Sequence, residues 1–136
     1  MADVDISKIK ILIVDDIKSM RANLIKILID LGYSNFTECA DGQKAWDELC
    51  VEAQYGNPYQ IIFSDINMPI MNGINLLKKV RNLTIYKTTP IFMVSTENEK
   101  DIVIKAILEG ATDYIIKPFN PIIVKDKLTK SLSKML

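Results

Sequence analysis

Apolar residues in this chain fall into two arrangements. In the first, successive residues are apolar, and the run stops at a charge or hydroxyl. Lys8-Ile9-Lys10-Ile11-Leu12-Ile13-Val14 becomes continuously apolar and stops at Asp15-Asp16; Ile61-Ile62-Phe63 stops at Ser64-Asp65. Ile91-Phe92-Met93-Val94, opened by Pro90, stops at Ser95, and Asp113 to Ile116 stops at Lys117-Pro118. Unbroken apolar runs of this length mark strands buried on both faces. Asn35 to Ala40 is a fifth, short strand. In the second arrangement, apolar residues recur three or four apart, as on one face of a helix. Met20, Leu24, Ile27, Leu28 and Leu31 align this way between Ile17 and Leu31, with Gly32 as a stop. A second helix, capped by Asp41, runs to about Ala53 with Ala45, Trp46 and Leu49 inward. Ile74, Leu77 and Val80 line a third, from Gly73 or Ile74 to Leu83. A fourth, Glu99 to Leu108, is capped by Thr96 or Asn98 and packs through Val103, Ala106 and Ile107. The last starts at Pro121 and aligns Val124, Leu128, Leu132 and Met135.

Five strands alternating with five helices imply an α/β fold. It is a doubly wound parallel sheet covered by helices on both faces, joined by right-handed crossovers. Such a sheet opens its functional crevice at the carboxyl ends of the strands. Four strand ends carry polar residues: Asp15-Asp16, Asp65 with Asn67, Ser95 with Glu97, and Lys117. Singly, an Asp before a helix reads as a cap and a loop lysine as solvated surface. Asp65 has no helix starting beside it, and four coincidences on one sheet edge outweigh the separate structural readings.

Composition narrows the chemistry. The 136 residues suit one domain with a real core, expected to carry no output domain. With 17 basic and 17 acidic residues, there is no charge excess for nucleic acid. The absence of histidine removes His-ligated metals, His bases and a phosphohistidine on this chain. Cys39 and Cys50 stand apart without metal-binding spacing, as in a reduced protein. No apolar run reaches membrane-spanning length, and the amino terminus lacks signal-peptide features. Any metal is therefore held by oxygen. Three carboxylates in one crevice repel unless a cation sits among them. Mg2+, which takes oxygen ligands, meets that need. A cation, a lysine and a hydroxyl around a carboxylate suit phosphoryl transfer to Asp65, with formation of an aspartyl phosphate.

These stretches also resemble a known family. Leu12-Ile13-Val14-Asp15-Asp16, Ser64-Asp65-Ile66-Asn67-Met68-Pro69 with Met71-Asn72-Gly73, Val94-Ser95-Thr96 and Lys117-Pro118-Phe119 are similar to the receiver domain of two-component response regulators. Ser19-Met20-Arg21, Asn67, Glu97 and Tyr114 point within it to the stand-alone chemotaxis regulators. The resemblance implies sheet order 2-1-3-4-5 and a cis Lys117-Pro118 bond. It implies Asp65 as phosphoacceptor, and Mg2+ bound by Asp16, Asp65 and the Asn67 carbonyl, with Asp15 acting through water. Ser95 and Lys117 would bind the phosphoryl group, Asn67 and Glu97 would tune dephosphorylation, and Ser95 with Tyr114 would form the switch. It implies a histidine kinase as donor, a flagellar motor switch protein as target, a possible phosphatase, and a cytoplasmic monomer that is a switch, not an enzyme, taking its phosphoryl group from a phosphodonor and losing it by autodephosphorylation. Departures are small: Ser95 stands where the nearest chemotaxis regulators have Thr, the Ile66 position often differs, and the loop from Tyr55 to Tyr59 is somewhat long.

Other functions fit the motifs less well. A phosphohydrolase with an aspartyl intermediate places two Asp residues two apart after the first strand, whereas Asp15 and Asp16 are adjacent. A flavin-binding fold needs a hydroxyl- and Gly-rich phosphate loop there, and Asp15-Asp16-Ile17-Lys18 would repel a phosphate. A phosphorelay intermediate is the alternative within the switch class. Two apolar surfaces remain as candidate docking sites. Ile104 and Leu108 on the fourth helix and Ile122 on the last lie off the core stripes, beside Tyr114. Ile25 and Ile29 lie off the core face of the first helix.

Overall fold

A computed structural model describes residues 5–96 and 100–135. Strands β1 (Lys10–Val14), β2 (Asn35–Cys39), β3 (Ile61–Asp65), β4 (Ile91–Thr96) and β5 (Asp113–Lys117) form one parallel sheet in the order β2-β1-β3-β4-β5. Helices α1 (Lys18–Asp30), α2 (Gly42–Gln54), α3 (Gly73–Arg81), α4 (Lys100–Leu108) and α5 (Pro121–Met135) connect and cover it. Every residue of β1 and β3 is buried, as their unbroken apolar runs require. Alternate strand residues feed two cores. Leu12, Val14, Ile62 and Met93 pack against α2, α3 and α4 through Ala45, Leu49, Leu77, Val80, Val103 and Ala106. Ile11, Ile13, Phe63 and Phe92 pack against α1 and α5 through Leu24, Leu28, Val124 and Leu128.

Local chemistry sets the boundaries. Asp41 Oδ1 accepts from the Lys44 amide at 2.8 Å and caps α2, and Asn72 caps α3 through the Asn75 amide at 2.9 Å. Gly32 and Gly110 adopt φ of 107° and 109° just past α1 and α4, where a side chain would be strained. The Lys117-Pro118 bond is cis. Asn98 and Glu99, one of the two expected caps of α4 and its expected first residue, lie outside the described residues, as does the side chain of Met135 in the expected stripe of α5.

Three side chains depart from the sequence-based placement. Ile107 is 40% exposed, because only Val103 and Ala106 of α4 reach the core. Ile25 is half-buried against the α1–α5 core, while Ile29 at 54% exposure stays on the surface. Leu76 is buried beside Leu77, so α3 offers the core a wider face than Ile74, Leu77 and Val80 alone. Short 3-10 turns at Ile6–Lys8 and Thr84–Tyr86 have no apolar period to announce them.

Candidate functional site at the carboxyl edge of the sheet

Because β1 and β3 are neighbours, Val14 opposite Ser64, the residues after them leave the same edge side by side. This brings Asp15, Asp16 and Asp65 together, with carboxylate oxygens all within 4.8 Å of one another. Asp15 and Asp65 are buried and Asp16 is exposed. From the far strand of the sheet, Lys117 reaches back across β4. Its Nζ lies 3.1 Å from Asp15 Oδ2 and 3.3 Å from Asp65 Oδ2.

Each carboxylate is held on its other side by backbone. Asp65 Oδ1 accepts from the Ile66 amide at 2.8 Å, and Asp15 Oδ1 from the Ile17 amide at 2.9 Å. Asp15 does not cap α1, whose N-cap Ile17 has no side-chain cap; it braces the turn that leads into the helix while its other oxygen faces Lys117. Burial, then repulsion from Asp15, pushes the Asp65 carboxyl up to about 6, against the pull of Lys117 and the Ile66 amide. Lys117 shifts up from its ordinary value: burial opposes its charge, but Asp65 and Asp15 together outweigh that cost.

The pocket therefore carries more negative charge than its lysine balances. Its donors are oxygens only, two of them on buried side chains. That set fits a hard divalent cation such as Mg2+, which would relieve the repulsion felt by Asp65.

Ser95 sits one residue past Val94, which pairs with Asp65 across β3 and β4. Its side chain is buried, and its Oγ has no hydrogen-bond partner among the described residues. A buried hydroxyl left unpaired is costly, which marks Ser95 Oγ as a donor available at this edge of the sheet. Tyr114 is opposite Met93, and Ser95 opposite Ile116, so Ser95 and Tyr114 share a sheet face one step apart. The half-buried Tyr114 ring packs on the α2–α4 core, with Lys127 Nζ 4.9 Å from its centroid. Asn67 is exposed on the loop after β3; Glu97 lies outside the described residues.

Of the apolar candidates, Ile104, Leu108 and Tyr114 line one groove of about 340 Å³ between α4 and β5, together with Val103, Ile107 and Ile116. Ile122, 79% exposed on α5, is not among its walls.

Two residues quoted in the resemblance without a role acquire one in the structure. Arg21 donates from Nη1 to the Asp15 carbonyl at 2.6 Å and from Nε to Glu38 at 3.0 Å, which pins the acidic turn to α1 and β2. A lone arginine in the first turn of a helix gives no sign of this. Gly73 is required by contact, because a Cβ there would lie 2.2 Å from the Asp65 carbonyl oxygen. The Gly73 amide donates to the Ile66 carbonyl at 2.8 Å and closes the loop that follows Asp65.

The comparisons with known proteins agree with this geometry. Residues 11–129 match the response regulator receiver domain. The chemotaxis protein CheY1 of Helicobacter pylori is 41% identical over 119 residues, 88% of this chain and 93% of that protein. The structure of the chemotaxis response regulator CheY4 of Vibrio cholerae is 38% identical, covers 93% of this chain and 98% of its own, and superposes with a TM-score of 0.72. A two-component response regulator from Clostridium difficile is 31% identical over 94% of this chain and 98% of its own, with a TM-score of 0.78. With its parallel sheet, its acidic edge and its lysine on the last strand, this chain belongs to the response regulator receiver domain family.

Proposed function

We propose that the chain is a phosphorylation switch in chemotaxis. Asp65 receives a phosphoryl group from a histidine kinase, and the surface formed by α4, β5 and α5 then binds a target, in the best-supported reading a flagellar motor switch protein. The observation that carries this is the Asp65 carboxylate itself: buried, repelled by Asp15, and held between a backbone amide and Lys117. Similarity to chemotaxis proteins supports the pathway.

In the transfer, an Asp65 oxygen attacks phosphorus. A P–O bond forms as the bond to the donor's imidazole nitrogen breaks, and that nitrogen keeps the electron pair and takes up a proton. Lys117 stays within reach of both Asp65 and the incoming oxygens and offsets their charge. Asp15, Asp16, Asp65 and the Asn67 carbonyl would hold Mg2+, whose charge would offset the remaining repulsion. Ser95, whose hydroxyl has no partner among the described residues, would donate it to a phosphoryl oxygen. Its shift would free space on the sheet face it shares with Tyr114, and the ring, which lines the α4–β5 groove, would carry the change to the target surface. Asn67 and Glu97 are assigned to tuning the lifetime of the phosphoryl group. No helix among the described residues is long and apolar enough to cross a membrane, which agrees with a cytoplasmic place of action.

Incubation with acetyl phosphate and Mg2+ tests the central step. One phosphoryl group should be added to wild type and none to Asp65→Asn; equal labelling of the two removes Asp65 as acceptor. Pull-down of the target with and without beryllofluoride tests the output.

A further inference from the structure

The loop after the acceptor strand contains a backbone conformation that its residue does not favour. Ile70 has φ of 70°, the only non-glycine residue with positive φ among those described. The Met71 amide donates to the Pro69 carbonyl at 2.7 Å, so Ile70 is the centre of a three-residue turn of the rare positive-φ kind. A β-branched side chain is among the worst choices there, and glycine or asparagine among the best. Neither packing nor hydrogen bonding by its side chain explains isoleucine, which is 81% exposed. A strained residue whose side chain serves nothing within its own fold points outward to something else.

Its position indicates what that is. Asp65 is 6% exposed, recessed below the loops that follow β1 and β3. A phosphoryl group carried on a protein's histidine reaches it when that protein's surface settles on the loops at this edge of the sheet, those after β1 and β3 among them. The exposed large aliphatic side chains of these two are Ile70 on one and Ile17, 49% exposed, on the other, and the two loops spring from neighbouring strands. A small donor such as acetyl phosphate needs neither.

We infer that Ile70, with Ile17, is an apolar anchor for the histidine-bearing protein that phosphorylates Asp65, retained at the expense of backbone strain. This rests on Asp65 being the acceptor, and the experiment separates the two. Ile70→Asn, Ile70→Gly and Ile70→Met are compared with wild type in three measurements: thermal denaturation, labelling by acetyl phosphate, and labelling by a radiolabelled phosphohistidine domain of the chemotaxis kinase from the same organism. Ile70→Asn and Ile70→Gly should melt higher, because both accept positive φ. Their transfer rate from the phosphohistidine domain, divided by the acetyl phosphate rate, should fall about fivefold or more, as for loss of an interface anchor. Ile70→Met, apolar but unbranched, should keep most of that ratio. An unchanged ratio in Ile70→Asn overturns the inference. So does a transfer rate lost equally in Ile70→Met. A phosphohistidine domain that fails to label wild type, when acetyl phosphate succeeds, also overturns it. If acetyl phosphate itself fails to label Asp65, the acceptor assignment falls first.

Discussion

The Lys117 ammonium lies 3.3 Å from Oδ2 of Asp65 and 3.1 Å from Oδ2 of Asp15. One cation thus serves two buried carboxylates, and the third carboxylate of the cluster, Asp16, adds to the deficit. Lys117 lowers Asp65 while burial and Asp15 raise it. Removing the ammonium in Lys117→Met should therefore carry Asp65 well above 6. Carbon-13 titration of the Asp65 carboxyl in the metal-free protein reads this directly, and an unmoved or lowered midpoint contradicts the pairing.

The raised pKa also makes a statement about stability. Asp65 binds its proton more tightly folded than unfolded, where the value is 3.8. Between about pH 4 and pH 6 the folded state holds more protons, so its stability falls as pH rises through that window. The penalty is absent below the unfolded pKa and complete above the folded one, about 1–3 kcal/mol at pH 7. Asp65→Asn removes it. The metal-free variant should exceed wild type in denaturant midpoint at pH 7, and the two should converge below about pH 4.

Magnesium should act on the same deficit. Binding to the folded pocket alone raises stability by about 2.7 kcal/mol at one hundred times the dissociation constant. Mg2+ should raise the melting temperature of wild type, raise that of Asp16→Asn much less, and EDTA should stop labelling by acetyl phosphate. Equal thermal shifts in the two proteins would place the ion elsewhere.

Ser95→Ala separates stability from signalling. The lost hydroxyl has no partner among the described residues, so its removal should leave the unphosphorylated protein as stable as wild type or up to about 1 kcal/mol more stable. Wild type should bind its target about 5–150-fold more tightly with beryllofluoride than without. That ratio should collapse toward one in Ser95→Ala. A variant that keeps the full ratio would show that this hydroxyl is no part of the switch.

Leu108→Glu addresses the target surface. Leu108 is 82% exposed, so the change should alter stability by less than about 0.5 kcal/mol. Labelling of Asp65 should be unaffected, while affinity for the target in the presence of beryllofluoride should fall about fivefold or more, as measured by titration.

The strands and their polar ends were legible in the sequence because both signals are local. An unbroken run such as Ile11 to Val14 has no plausible place except inside a covered sheet. Asp15, Asp65, Ser95 and Lys117 each end such a run, and a parallel sheet sends every carboxyl end to one edge. The order of the strands came from family resemblance, since no local rule says that β1 lies between β2 and β3.

What depends on distances between remote segments could be read only from the fold. Which carboxylates Lys117 meets is decided by β4 placing β5 close enough for the side chain to reach back. Arg21 joins the site because α1 crosses beside β2, where Glu38 takes its second donor. Ile107 and Ile25 were misplaced because helical spacing identifies a stripe but not its width. That width is set by how closely α4 and α1 approach the sheet, leaving Ile107 in the groove and pressing Ile25 half into the core. The positive φ of Ile70 is the furthest from sequence, since isoleucine itself argues against it. The turn exists because the Gly73 amide must return to the Ile66 carbonyl, a closure across seven residues that outweighs the preference of one.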